Sequence, residues 1–259
     1  MTIYQGLLPQ MPKNYSKFKP SYQNFGGGGK KAIVIGWNLK EMDFFNKLKS
    51  RTLKTPYGII KYYWLKDTVF LPRHGIKENI PPHRINHLTN IYALKKLGVK
   101  YIFSFNSVGS LKKEIKPGEL LIVSDYIDLN PPTFYEKNPE FITPKISKKL
   151  RAILIQILKN LRLKFWANGV YFNTKGPRFE TKAEINMIKN FSDVVGMTMA
   201  KEATLSNELG LEYASLCSVD NYAHGLDKKP ITQEETEKYQ KRNKKIIEEI
   251  IREILKVKT

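Results

Sequence analysis

Cysteine is almost absent: Cys217 is the only one in 259 residues, which excludes an internal disulfide framework. It stands in an apolar, strand-like run (211–219), the setting of a small core residue rather than a nucleophile. No apolar run approaches the roughly 20 residues that a membrane helix needs, and the first residues lack the apolar core of a signal peptide. A cytoplasmic protein with no membrane span is therefore expected. Histidine is scarce, at four residues, and the spacing of His83, His87 and His224 makes no metal set. Acidic residues are few: 24 against 44 basic ones, for a net charge of +20. Such an excess either attracts anions, phosphates and nucleic acids included, or is a lysine-rich surface with no specific partner. The lysine pairs 112–113, 148–149, 228–229 and 244–245 are spread along the chain, and there is no arginine-rich arm or known nucleic-acid motif. RNA or DNA binding is accordingly a secondary reading.

Internal repeats are also missing, and 41% hydrophobic residues with 12% aromatics exclude a disordered or fibrous chain. The expected organisation is an N-terminal arm or strap over residues 1–30, rich in Gln, Asn, Pro and Tyr, followed by one α/β domain over 31–259. Apolar runs at 32–36, 57–65, 68–71, 100–105, 119–126, 170–172, 193–196 and 211–219 read as strands. Helical periodicity appears at 83–97, 150–161, from 181, at 200–209 and at 246–255. The alternation predicts a mixed central β-sheet flanked by helices.

Polar motifs sit where those strands end, the place at which ligands gather in α/β sheets. Arg73-His74-Gly75 follows one strand, and an arginine fork suits phosphate oxygens. Asn106-Ser107-Val108-Gly109-Ser110 follows another and is expected as a tight turn with exposed backbone N–H groups, a cradle for an anion. Gly176-Pro177-Arg178-Phe179-Glu180-Thr181 forms a strand-to-helix corner. There Phe179 offers a stacking face and Glu180 an acceptor for the ring N–H of a flat heterocycle. Val195-Gly196-Met197-Thr198 and Asp220-Asn221-Tyr222 close two further strands. Taken singly, each is equally an ordinary turn.

In this order, over about residues 69–225, the five motifs resemble the trimeric purine nucleoside phosphorylase and methylthioadenosine phosphorylase family. The resemblance implies the nucleoside phosphorylase fold, with a distorted, barrel-like mixed sheet, and a homotrimer or hexamer. It implies phosphorolysis of a purine nucleoside to free base and sugar 1-phosphate, with no cofactor and inorganic phosphate as co-substrate. Carried over residue by residue, Arg73, His74, the Ser107 backbone and Thr198 match phosphate contacts. Met197 matches the residue under the sugar, and Phe179, Glu180 and Asn221 match base contacts. Asn221 and His74 are the catalytic candidates. Phe134 or Tyr135, expected to be exposed, resembles the lid residue lent across the subunit interface.

Glu180 and Asn221 follow the 6-oxopurine branch of that family, where the amide donates to O6 or N7 and the carboxylate accepts from N1–H. Inosine, guanosine or methylthioinosine types are thus expected ahead of adenosine types. The family's glycine-rich phosphate loop is replaced by Ile35-Gly36-Trp37-Asn38. Three readings follow: Asn38 and a lysine supply the contacts, water replaces phosphate in a nucleoside hydrolase, or the protein binds a purine nucleoside or nucleotide without turnover.

Overall fold

The computed structural model describes residues 29–36, 45, 48–227 and 233–258. Nearly all of the expected arm, and Trp37-Asn38 with the altered loop, lie outside the described residues. Among the described residues, sixteen strands and helices run in the order β1 (Lys30–Ile35), β2 (Ser50–Thr55), β3 (Gly58–Leu65), β4 (Thr68–Pro72), α1 (His87–Lys96), β5 (Val99–Ser110), β6 (Leu120–Ile122) and β7 (Asp125–Asp128). Then come α2 (Lys148–Asn160), β8 (Phe165–Trp166), β9 (Val170–Asn173), α3 (Lys182–Ile188), β10 (Val194–Gly196), α4 (Met199–Glu208), β11 (Glu212–Tyr222) and α5 (Gln233–Lys256).

The mixed sheet follows the order β2-β3-β4-β1-β5-β10-β9-β7, and β11 joins it on β5 with β6 and β8 beyond. Its organising strand is β5. The first half pairs with β1 in parallel as far as Val34↔Ser104, while at the far end Gly109 and Ser110 pair antiparallel with Val195 and Val194. Between these pairings the strand has lost β1 and not yet met β10, so backbone groups at 105–108 face a fork in the sheet. β11 runs beside β5 throughout and takes a bulge between Val219 and Asn221, which re-aims the residues at its end. Ile33, Phe103, Leu121, Ala214 and Leu216 pack into one core beneath the helices.

α5 contributes Ile247, Ile250, Ile251 and Ile254 to that core, the spacing of a helix with one apolar stripe. Its C-terminal carbonyls meet an unusual partner. Lys31, with no exposed surface, donates from Nζ to the carbonyls of Val257 (2.5 Å) and Ile254 (3.3 Å) and lies 3.3 Å from Asp67 Oδ2. Burial lowers its pKa, and Asp67 opposes that shift. A cation here satisfies carbonyls that a helix end leaves without partners. Lys31→Met should cost about 2–4 kcal/mol, because the carbonyls stay buried after their donor is gone. Urea unfolding measures it, and an unchanged midpoint would show that water takes over the role.

In its strands and helices the sequence reading differs from the structure in four places. The helix expected at 83–97 begins only at His87, after a single 3-10 turn at Pro82–Arg84; prolines 81 and 82 keep the chain extended before it. The run 119–126 divides into β6 and β7. Strands β2 and β8 carry too little apolar periodicity to be read. Asn106 to Ser110 is no tight turn but the second half of β5, drawn straight by its pairing with β11.

Candidate active site

The fork in β5 is filled by side chains from five elements. Arg73, just after β4 and 3% exposed, forms a buried ion pair with Glu202 of α4, which is 1% exposed. Arg73 Nε donates to Oε1 at 2.7 Å and Nη2 to Oε2 at 3.2 Å; Nη2 also reaches Ser104 Oγ (2.6 Å), and Nη1 the carbonyl of Phe105 (3.0 Å). That carbonyl belongs to the stretch where β5 lacks a neighbour, so the guanidinium substitutes for a strand. Its Nη1 edge looks toward Gly36, where a Cβ would lie 3.7 Å away.

The network continues inward. Ser104 Oγ and Tyr213 OH both donate to Glu202 Oε2, each at 2.9 Å. Asn106 Nδ2 donates to Ser104 Oγ (3.0 Å) and Ser215 Oγ (2.8 Å), while Thr198 Oγ1 donates to Asn106 Oδ1 at 3.1 Å. Thr198 immediately precedes α4, and its backbone N–H donates to Tyr171 OH of β9 at 3.2 Å. Burial pushes the Tyr171 hydroxyl above its usual range, so it stays neutral. Arg73 and Thr198 are therefore brought together, with Asn106 and Ser104 between them. His74 is buried beside Arg73, its Nδ1 2.7 Å from the carbonyl of Ile80.

A second group of motif residues gathers beyond Met197. Thr174 Oγ1 donates to Glu180 Oε1 (2.7 Å), and the Thr174 N–H bonds to the Gly196 carbonyl (2.8 Å). Gly176 has φ 69°, and a Cβ there would come within 2.5 Å of Met197 Sδ; only glycine allows this approach. Glu180 is buried, whereas Phe179 is 55% exposed. His224 Nδ1 lies 3.1 Å from the Glu180 carbonyl, tying the segment after β11 to the corner. The corner's cation is occupied as well: Arg178 pairs with both carboxylate oxygens of Glu184 at 2.8 Å, and Thr181 and Glu184 form a capping box on α3. Asn221 donates from Nδ2 to the Tyr222 carbonyl (2.8 Å), and that nitrogen lies 3.2 Å from where a Cβ on Gly109 would be.

Ser107 is turned the other way. Its hydroxyl, like that of Ser218, donates to the buried Asp220 carboxylate, and Asn243 of α5 donates to Ser218 Oγ at 2.7 Å. The Ser107 hydroxyl is thus committed to Asp220. Burial raises the Asp220 pKa from an ordinary 3.8 to about 6, against the hydrogen bonds of Ser107, Ser218 and Gln240. A carboxyl that holds its proton more tightly when folded adds stability in acid. That contribution is complete below the unfolded value near 4 and is lost as pH rises through about 6. Asp220→Asn removes the titration, so relative to wild type the variant should gain about 2–3 kcal/mol between pH 4 and pH 7. Urea unfolding at both pH values tests this, and identical pH slopes would contradict it.

The sequence profile of the phosphorylase superfamily matches residues 30–256. The chain belongs to that superfamily. A protein of Archaeoglobus fulgidus, described as a probable 6-oxopurine nucleoside phosphorylase, is 40% identical over 232 residues, covering 86% of this chain and 96% of the relative. A probable S-methyl-5'-thioinosine phosphorylase of Methanocaldococcus jannaschii is 43% identical over 208 residues, covering 77% and 82%. Among solved structures, methylthioadenosine phosphorylase from Schistosoma mansoni in complex with adenine superposes with a TM-score of 0.77 at 26% identity, covering 87% of this chain and 90% of that one.

In this phosphorylase-superfamily chain the segment that carries the expected lid residues packs against the fold. Phe134 and Tyr135 are half-buried rather than exposed. Phe134 packs edge-on against Tyr57 at 5.2 Å and lies 6.3 Å from Tyr92, while Glu208 accepts from Thr133 Oγ1 and the Phe134 N–H, each at 2.7 Å. Tyr135 OH donates to the Glu208 carbonyl at 2.8 Å. Asn106 was in a motif the sequence singled out, whereas Ser104, Tyr171, Glu202, Tyr213 and Ser215 were not read as site-forming from the sequence. A polar residue alternating through an otherwise buried strand, as Ser104 and Asn106 do in β5, is the signal that points to them. Among the described residues no three His, Cys, Asp or Glu side chains gather as a metal site, and no helix is long and apolar enough to cross a membrane.

Proposed function

We infer that this protein cleaves the glycosidic bond of a purine nucleoside with inorganic phosphate, releasing free base and sugar 1-phosphate. Membership in the phosphorylase superfamily carries this reading, supported by relatives described as acting on 6-oxopurine nucleosides and methylthioinosine. A phosphate oxygen bonds to the anomeric carbon as the bond to the purine nitrogen breaks, and the electron pair leaves on the base, which takes up a proton. No enzyme nucleophile or cofactor is called for, so the protein positions the anion and stabilises charge on the leaving purine.

In this reading Arg73, His74, the Ser107 backbone and Thr198 hold phosphate, Met197 lies under the sugar, and Phe179 stacks on the base. Glu180 accepts from the base N1–H, and Asn221 donates to O6 or N7, which favours inosine- or guanosine-type substrates. The active form is a homotrimer or hexamer in the cytoplasm, with the Phe134–Tyr135 segment beside a neighbouring site. The test is hypoxanthine release from inosine with and without added phosphate. Release that needs phosphate is expected. Equal release without it would make the protein a hydrolase, and no release with inosine, guanosine or methylthioinosine would make it a binding protein.

A further inference from the structure

His87 is the first residue of α1 and only 6% exposed, yet among the described residues neither ring nitrogen has a hydrogen-bond partner. An imidazole carries at least one donor, and leaving such a group buried without a partner costs about 1–3 kcal/mol. The charges that bear on it are Lys201 of α4, then Arg73 and His74, and all three push in the same direction. Burial first, and these cations second, hold the ring well below its ordinary range, so it is neutral here. Among the described residues no carboxylate offsets them at the ring. Glu202 is committed to Arg73, Ser104 and Tyr213, and Asp128 of β7 bears on Lys201 rather than on His87.

Lys201 adds a second observation. It stands three residues after Thr198 in the first turn of α4, which places it on the same helix face as Thr198. None of the described ion pairs includes it. Arg73, meanwhile, spends Nε, Nη2 and one Nη1 hydrogen on Glu202, Ser104 and Phe105. Its charge is already balanced by Glu202, so a phosphate dianion at the fork needs positive charge from elsewhere.

We propose that His87 and Lys201 are anion-binding residues of the phosphate site, the imidazole donating to a phosphate oxygen and the ammonium offsetting its charge. The proposal deepens the phosphorolysis reading and rests on it for the identity of the anion. It gives α1 a direct part in binding, beside the segment after β4 and the first turn of α4. As an anion binds, it offsets the cations around His87, and the ring becomes easier to protonate.

Sulfate is the probe, because it is a dianion of phosphate's shape with no proton to exchange near neutral pH. Its binding to the full chain is measured by calorimetry from pH 5 to pH 8, without nucleoside, for wild type, His87→Gln and Lys201→Met. Wild type should bind sulfate more tightly as pH falls. Each variant should bind about tenfold or more weakly, a change of about 1.4 kcal/mol, and His87→Gln should also lose part of the pH slope. His74, beside Arg73, is the other histidine at the site. Sulfate affinity equal to wild type in the variants, loss of affinity with the slope intact in His87→Gln, or no sulfate binding by wild type overturns the proposal. If His87→Gln does not fold, Lys201→Met decides the question by its affinity alone. Sulfate binding that depends on His87 in a protein that releases no base would sink the phosphorolysis reading and leave the anion site standing.

Discussion

Glu202→Ala should lower the stability of this protein by about 3–5 kcal/mol, the cost of leaving a buried charge without its partner. At about 2–4 °C per kcal/mol for a chain of this size, the melting temperature falls by roughly 6–20 °C. Arg73 is 3% exposed and Glu202 1%, so water cannot replace the lost carboxylate without opening the fork in β5. The loss spreads, because Glu202 also accepts from Ser104 and Tyr213, and both buried hydroxyls would lose that acceptor. Activity should fall along with stability, as Arg73 no longer has a fixed orientation at Gly36. A melting curve within 2 °C of wild type would show that the pair is not a structural centre. Glu202→Gln is the control: it keeps the shape, still accepts from Arg73, and should lose less.

Asn221→Asp should reverse the substrate preference. With asparagine the side-chain amide can turn a donor toward a 6-oxo group, but an ionised carboxylate there meets the lone pairs of O6 with its own. A buried polar mismatch of this kind costs about 3–4 kcal/mol, so kcat/KM for inosine should fall by about 10²–10³ while adenosine gains. The existing bond from Asn221 Nδ2 to the Tyr222 carbonyl has to be given up or shared when a base enters. Comparing kcat/KM for inosine and adenosine in both proteins is the measurement. Equal losses on the two substrates would mean that Asn221 supports the bulge in β11 and does not read the base.

The frame itself was largely legible. Isoleucines at helical spacing announced α5, and the alternation of apolar runs with amphipathic ones announced a mixed sheet between helices. What misled was the stretch from Asn106 to Ser110. Small polar residues with a glycine make a turn when the chain is considered alone, yet pairing with β11 holds them extended, since ten residues of ladder outweigh local turn preference. Phe134 and Tyr135 were misjudged for a related reason: an aromatic pair after two prolines looks exposed until Glu208 and Tyr57 are folded against it.

By itself the sequence determined which chemical groups are available and the order in which they come: a guanidinium after one strand, a carboxylate and an aromatic at a corner, an amide near the end of another. It also determined the family, because five short motifs in register are far more specific than any one. Only the tertiary structure decided how those groups are spent. Arg73 and Glu202 stand 129 residues apart, and no local pattern says that one will neutralise the other. The reason is physical: hydrogen bonds and ion pairs act over a few ångströms, so a polar group's partner is set by which strands lie side by side. The same closeness leaves His87 buried among cations and turns the Ser107 hydroxyl toward Asp220.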